Sequence, residues 1–179
     1  MTSSTNLPKA LFHSLRRNLF LNVVEDYSRA EPIRIKGWAL LALGLMISKI
    51  VRNYKDLRIG IALPPGIAGI LGNLAVLFSG KIPVNLNLTV SRESMTASLR
   101  EAGIGVIISA DKVKKKFPDF PWTDAFLDLG EIIEFQKSKK ISLIFAAIQI
   151  ICLPKVGCKR FKLDQIQNNR KEAILLFTS

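Results

Sequence analysis

At 179 residues the chain can bury one substantial core but is too short for a large two-domain enzyme. Apolar residues make up 49% of it, which excludes an intrinsically disordered chain. Lys and Arg number 26 against 14 Asp and Glu, a formal charge of +12, so an anionic partner is expected (lipid headgroups, nucleic acid, a nucleotide or an acidic protein), although a solvated basic surface accounts for the same excess.

In chain order, Pro8 to Leu19 predict a short amphipathic helix, with Phe12, Leu15 and Leu19 on one side and Arg16 and Arg17 on the other. Val23 and Val24, a polar turn over 25–32, and the alternation of Ile33 and Ile35 with Arg34 and Lys36 predict a small hairpin. From Gly37 to Arg52 apolar residues recur at helical spacing. Arg58 to Leu63 is a strand stopped by Pro64-Pro65-Gly66. Ile67 to Phe78 is a helix rich in small residues, closed by Ser79-Gly80. Lys81 to Asn85 predicts a second strand, which Pro83 restricts to a sheet edge or a strand end. Thr89 and Ser91 offer N-caps for a helix reaching Ala102, with Gly103 as its terminator, and Val106 to Ser109 is a third, wholly apolar strand.

Strand, helix, strand, helix, strand with short links is the pattern of a parallel α/β sheet with flanking helices, which is the fold class expected here. The stretch from Lys112 to Asp128 reads as irregular, punctuated by Pro118 and Pro121, and a strand fits Ala125 to Leu129. Residues 131–153 read as mostly helical up to Pro154, and a basic linker precedes a final strand at 173–177. The expected organisation is a helix and hairpin over 1–35, a βαβ-type subdomain over 36–129, a basic and apolar helical insertion with linker over 130–172, and a strand entering a loop over 173–179.

Side-chain chemistry is sparse. His13 is the only histidine, which removes nucleophilic schemes needing a central imidazole. With Cys152 and Cys158 it makes three ligand candidates, too few for a tetrahedral zinc set. Two cysteines and a charged N-terminal stretch with no apolar leader suggest reduced thiols in a cytoplasmic chain. Nucleic acid is disfavoured, because no recognition helix or interleaved aromatics accompany the lysines. Pro64, Pro65, Gly66, Pro83, Asn85 and Asn87 are candidates for lining a cleft at the carboxyl ends of the strands, and turn and strand-end duties account for them as well. Asp111 and Glu101 read as a solvated loop and a charged helix end rather than an acid/base pair.

Ile141 to Leu153 is strongly apolar but shorter than the about twenty residues that span a bilayer. Its basic flanks suit either a helix lying at an anionic membrane surface or a core helix with basic ends.

Four stretches taken in order resemble a known family: Arg58 to Pro65, Asn73 to Asn87, Ala102 to Ser109, and Leu176-Phe177-Thr178-Ser179. They are similar to the opening of the AMP-binding, adenylate-forming, acyl-activating synthetases, with most likeness to bacterial acyl-acyl carrier protein synthetases and 2-acylglycerophosphoethanolamine acyltransferases. In that family a strand enters a phosphate loop of the form Thr-Ser-Gly-Ser/Thr-x-Gly-x-Pro-Lys-Gly. The resemblance implies that Thr178 and Ser179 open the loop, that the chain is the front of such an enzyme cut two residues into it, and that no catalytic residue is present. It further implies an ATP- and Mg²⁺-dependent ligase that activates a fatty acid for transfer to acyl carrier protein or CoA. A chain so cut is expected to be inactive alone and to bind no nucleotide tightly. Its expected place is cytoplasmic, at most peripheral to the inner membrane. The alternative is a non-catalytic, basic, membrane-surface-binding remnant.

Overall fold

A computed structural model describes residues 6–28, 30–138, 163, 166 and 174–176. The apolar stretch Ile141 to Leu153, both cysteines, most of the basic linker, and Thr178 and Ser179 lie outside the described residues.

The first helix, α1 (Leu7–Arg17), starts where Asn6 accepts from the Lys9 backbone N–H (3.1 Å), with Pro8 in the first turn where its missing donor costs nothing. Strands β1 (Asn22–Asp26) and β2 (Ile33–Lys36) pair antiparallel as the expected hairpin. There follow α2 (Gly37–Arg52), β3 (Arg58–Ile61), α3 (Ile67–Phe78), β4 (Ile82–Asn85), α4 (Arg92–Glu101) and β5 (Val106–Ser109). Ser91, not Thr89, caps α4, and Gly103 beyond it takes φ +63°, a left-handed conformation that glycine adopts without strain. The chain continues through α5 (Asp111–Lys116), β6 (Ala125–Asp128), α6 (Leu129–Ser138) and β7 (Leu175–Leu176). The stretch expected to be irregular thus contains the short helix α5. α6 covers residues 131–138 of the segment expected to be helical to Leu153, and the remainder of that segment lies outside the described residues.

Five strands form one parallel sheet in the order β6-β5-β3-β4-β7. Alternation along β3 and β5 distributes side chains to its two faces. Ile59, Ile61, Val106 and Ile108 join α1, α2 and α3 in one core around fully buried Phe12, Leu41, Ile47 and Phe78. Val84 and Ile107 join Met95, Leu99 and Phe120 in the other core, beneath α4. Helices on both faces of a parallel sheet are the architecture expected from the strand–helix alternation.

Of the two settings expected for Pro83, a sheet edge or a strand end, the structure shows the second. β4 lies between β3 and β7, so it is not an edge strand, but Pro83 sits near its start. Ile82 and Leu86 both donate their N–H toward β3, to Leu57 O and Ile61 O (each 2.9 Å). The alternate position, Pro83, therefore turns its nitrogen away from β3. On that side the pairing with β7 begins only at Val84, so no ladder bond is lost.

Candidate functional site

Three chain segments meet where the parallel strands end. After β3 the chain passes through Leu63, Pro64 and Pro65, which cannot continue a ladder. It then turns at Gly66 into α3. Gly66 has φ +125° and ψ −163°, a region essentially closed to other residues, and a Cβ there would collide with the Asp26 carboxylate. That carboxylate arrives from the end of β1. Its oxygens accept from the N–H of Ile67 at the start of α3 (3.0 Å) and from Ser28 N–H (2.9 Å). An acidic group is stabilised there by the unpaired amides and the positive end of the helix.

Nearly two turns further along α3, Asn73 faces Asn85 at the end of β4. Their carboxamides bond reciprocally, Asn73 Nδ2 to Asn85 Oδ1 at 2.9 Å and Asn85 Nδ2 to Asn73 Oδ1 at 3.1 Å, and Asn73 Nδ2 also donates to Gly69 O (2.9 Å). The pair ties the helix to the sheet edge. With Pro64, Pro65, Gly66, Ile70 and Ile174 it bounds an open cleft of about 550 Å³. β7 follows Ile174 directly and runs parallel to β4, with Leu176 opposite Asn85.

The structure thus brings together Pro64, Pro65, Gly66 and Asn85 of the sequence-expected cleft residues. It leaves out Pro83, buried within β4, and Asn87, whose exposed side chain caps a turn by accepting from Thr89 N–H (3.0 Å) and Thr89 Oγ1 (2.7 Å). Asp111 and Glu101 do not meet. Asp111 pairs with Lys115 (2.5 Å), which raises the lysine above its ordinary pKa through the hydrogen bond and the opposite charge. Sequence reasoning missed Asp26, Asn73 and Ile174. Asn73 had a signal, being the only polar side chain in α3.

The described cleft suits an apolar group. Its lining carries no charged side chain, its two carboxamides satisfy each other, and the Ile67 N–H at the helix start is already taken by Asp26. A polyphosphate placed here would lack a counter-charge, so the described residues do not fit the phosphates of ATP. Among the described residues no group of three or more His, Cys, Asp or Glu is placed to hold Mg²⁺ or another metal. Among them, too, no helix is long and apolar enough to cross a membrane.

No protein-family model matches the sequence, and comparison with curated proteins gives no match. Solved structures do match. Over 68% of this chain and 13% of its own, the nonribosomal peptide synthetase FmoA3 in an AMPPNP-bound form superposes with a TM-score of 0.59 at 17% identity. The N-terminal subdomain of Klebsiella oxytoca NpsA covers 72% of this chain and 32% of its own, with a TM-score of 0.57 at 17% identity. A benzoate CoA ligase from Burkholderia xenovorans covers 73% and 28%, with a TM-score of 0.58 at 15% identity. The fold is that of the N-terminal subdomain of adenylate-forming enzymes. The chain matches between about an eighth and a third of the length of these adenylate-forming neighbours.

Proposed function

We propose that the chain supplies the N-terminal part of an AMP-forming ligase, one that activates a fatty acid as its acyl-adenylate for transfer to the thiol of acyl carrier protein or CoA. The observation that carries this reading is the parallel pairing of β7 with β4, which ends β7 beside Asn85 at the same sheet edge as the cleft. Ligands of open parallel sheets collect at that edge. The shared fold supports the ligase class, and the apolar lining supports an aliphatic rather than a polar acid. The four sequence stretches similar to acyl-acyl carrier protein synthetases support the choice of acyl group and acceptor.

On this reading Thr178 and Ser179 open the phosphate-binding loop, and ATP with Mg²⁺ is held by groups outside the described residues. The described cleft contributes apolar contact and a fixed edge, held by the Asn73–Asn85 pair and by Asp26. The test is fatty-acid-dependent exchange of pyrophosphate into ATP by the complete product of the reading frame, with the codons after Ser179 determined alongside. The expected result is a Gly-Ser/Thr-x-Gly-x-Pro-Lys-Gly continuation, with exchange that falls steeply in Thr178→Ala and Ser179→Ala. A different continuation, or no exchange with any carboxylic acid, refutes the reading.

A further inference from the structure

A second cavity, of about 180 Å³, opens on the α4 face of the sheet and shares no lining residue with the cleft along α3. One side is the loop that leaves β4, through Leu88 and Val90, and the other is the turn after α5, through Phe117, Pro118, Phe120 and Pro121. Leu88, Val90 and Phe117 rest on the core beneath α4, and Phe120 is part of it. Exposed Arg92, Lys116 and Asp119 complete the lining, so the rim carries two cations and one carboxylate.

Both sides are held by their own hydrogen bonds. Phe120 N–H donates to Phe117 O (3.2 Å), Trp122 N–H to Phe120 O (2.7 Å), and the Trp122 indole N–H to Phe117 O (2.9 Å). The Trp122 ring also packs on Phe120, with centroids 4.6 Å apart. On the other side the Asn87 carboxamide accepts from Thr89 N–H (3.0 Å), between Leu88 and Val90. The cavity is therefore formed before a ligand arrives, and binding orders neither segment anew. Among the described residues no ion pair engages Arg92 or Lys116. The Lys116 ammonium lies over the Phe117 ring, 5.7 Å from its centroid.

We propose that this cavity binds a small organic monoanion, whose ring-sized apolar body lies among Val90, Phe117 and Phe120 and whose carboxylate meets Arg92 and Lys116. Size sets the body. A cavity of about 150 Å³ holds one benzene ring, so this one takes a single ring or a branched chain of about five or six carbons. Charge sets the head. Two cations against one carboxylate leave a single positive charge, which suits one carboxylate better than a polyphosphate. Asp119 shares the lining and opposes an anion, so it limits affinity and disfavours dianions. A ligand seated here joins the segments that follow β4 and β5, and the site does not rest on the ligase reading.

Equilibrium dialysis of the full chain with radiolabelled phenylacetate tests it. The expected result is saturable binding with a Kd of about 1 mM or below at about 0.05 M NaCl, weakened severalfold at about 0.5 M. Phenylacetamide keeps the ring without the charge and acetate keeps the charge without the ring, and each competes at least about tenfold less well. Arg92→Ala with Lys116→Ala weakens binding about tenfold, and Asp119→Asn tightens it about twofold. All three positions are exposed, so thermal melts of the variants match the parent and exclude misfolding as the cause. No saturable binding below about 10 mM, equal competition by phenylacetamide or acetate, or indifference to salt overturns the proposal. Unchanged binding by the double variant also overturns it, because the ligand then sits elsewhere. So does weaker binding in Asp119→Asn, which would make that carboxylate an acceptor for the ligand and the site one for a zwitterion.

Discussion

Replacing Gly66 by alanine tests how the hairpin is locked onto the sheet edge. At φ +125° and ψ −163° a residue with a Cβ carries about 1–3 kcal/mol of backbone strain. The new Cβ also occupies the place of the Asp26 carboxylate, so the cap on Ile67 N–H is displaced. Loss of a side-chain cap at a helix start costs about 0.5–2 kcal/mol, so Gly66→Ala is expected to destabilise by about 1.5–5 kcal/mol. For a chain of this size each kcal/mol lowers Tm by about 2–4 °C. Asp26→Ala alone loses the cap without the strain, at about 0.5–2 kcal/mol. In the double variant the collision partner is gone, so the two effects sum to less than the separate values by about 1 kcal/mol. Urea unfolding of the four proteins measures this coupling. Additivity within about 0.5 kcal/mol, or a neutral Gly66→Ala, refutes the argument that glycine is required here by the carboxylate as well as by its dihedral angle.

Phe78→Ala empties a fully buried ring site packed against Gly44 and is expected to cost about 3–5 kcal/mol in urea unfolding. Asn73→Ala strands the Asn85 carboxamide and costs about 1–3 kcal/mol, whereas replacing both asparagines with leucine costs less than the separate changes summed, read by a double-mutant cycle. Lys81→Met leaves Tyr54 O and Asp56 O without the ammonium that now reaches them at 2.5 and 2.6 Å, and the unfolding midpoint falls by the equivalent of about 1–3 kcal/mol. The Tyr27 phenol is raised above its ordinary pKa of 10.0, first by its hydrogen bond to Glu25 and then by that residue's charge. The neutral phenol is the form favoured on folding, so whatever the bond adds to hairpin stability is present below the ordinary phenol value and lost as pH rises through the raised one. Ultraviolet titration should show one tyrosine ionising late in the parent and earlier in Glu25→Gln.

The parallel order of the three central strands was legible because each is apolar, brief and punctuated: Pro64-Pro65-Gly66 after β3, Gly80 before β4, Gly103 before β5. Helices α2 and α3 were legible from length and apolar content. The short helix α5 was not, since Asp-Lys-Val-Lys-Lys-Lys offers Val113 alone as an inward-facing apolar side chain. Pro83 left two settings open, a sheet edge or a strand end, because the rule against proline in interior strands concerns a donor that must pair. Which way that donor points depends on register, and register is not written in the strand itself. In the cleft, Pro64 to Gly66 and Asn85 announced themselves as strand-end residues. Asp26 did not, because its partner Ile67 lies 41 residues along the chain and only the docked hairpin brings them together.

The order β6-β5-β3-β4-β7 also carries a schedule. Strands β3, β4, β5 and β6 come from one uninterrupted stretch, so this part of the sheet can assemble while synthesis is still under way. Strand β7 must return to β4 from about ninety positions away. That closure is entropically slow and, among the described residues, is rewarded by two residue pairs. Amide protons of β7 should therefore exchange first among the five strands, making the last-arriving ribbon the point where the assembled sheet most readily comes undone.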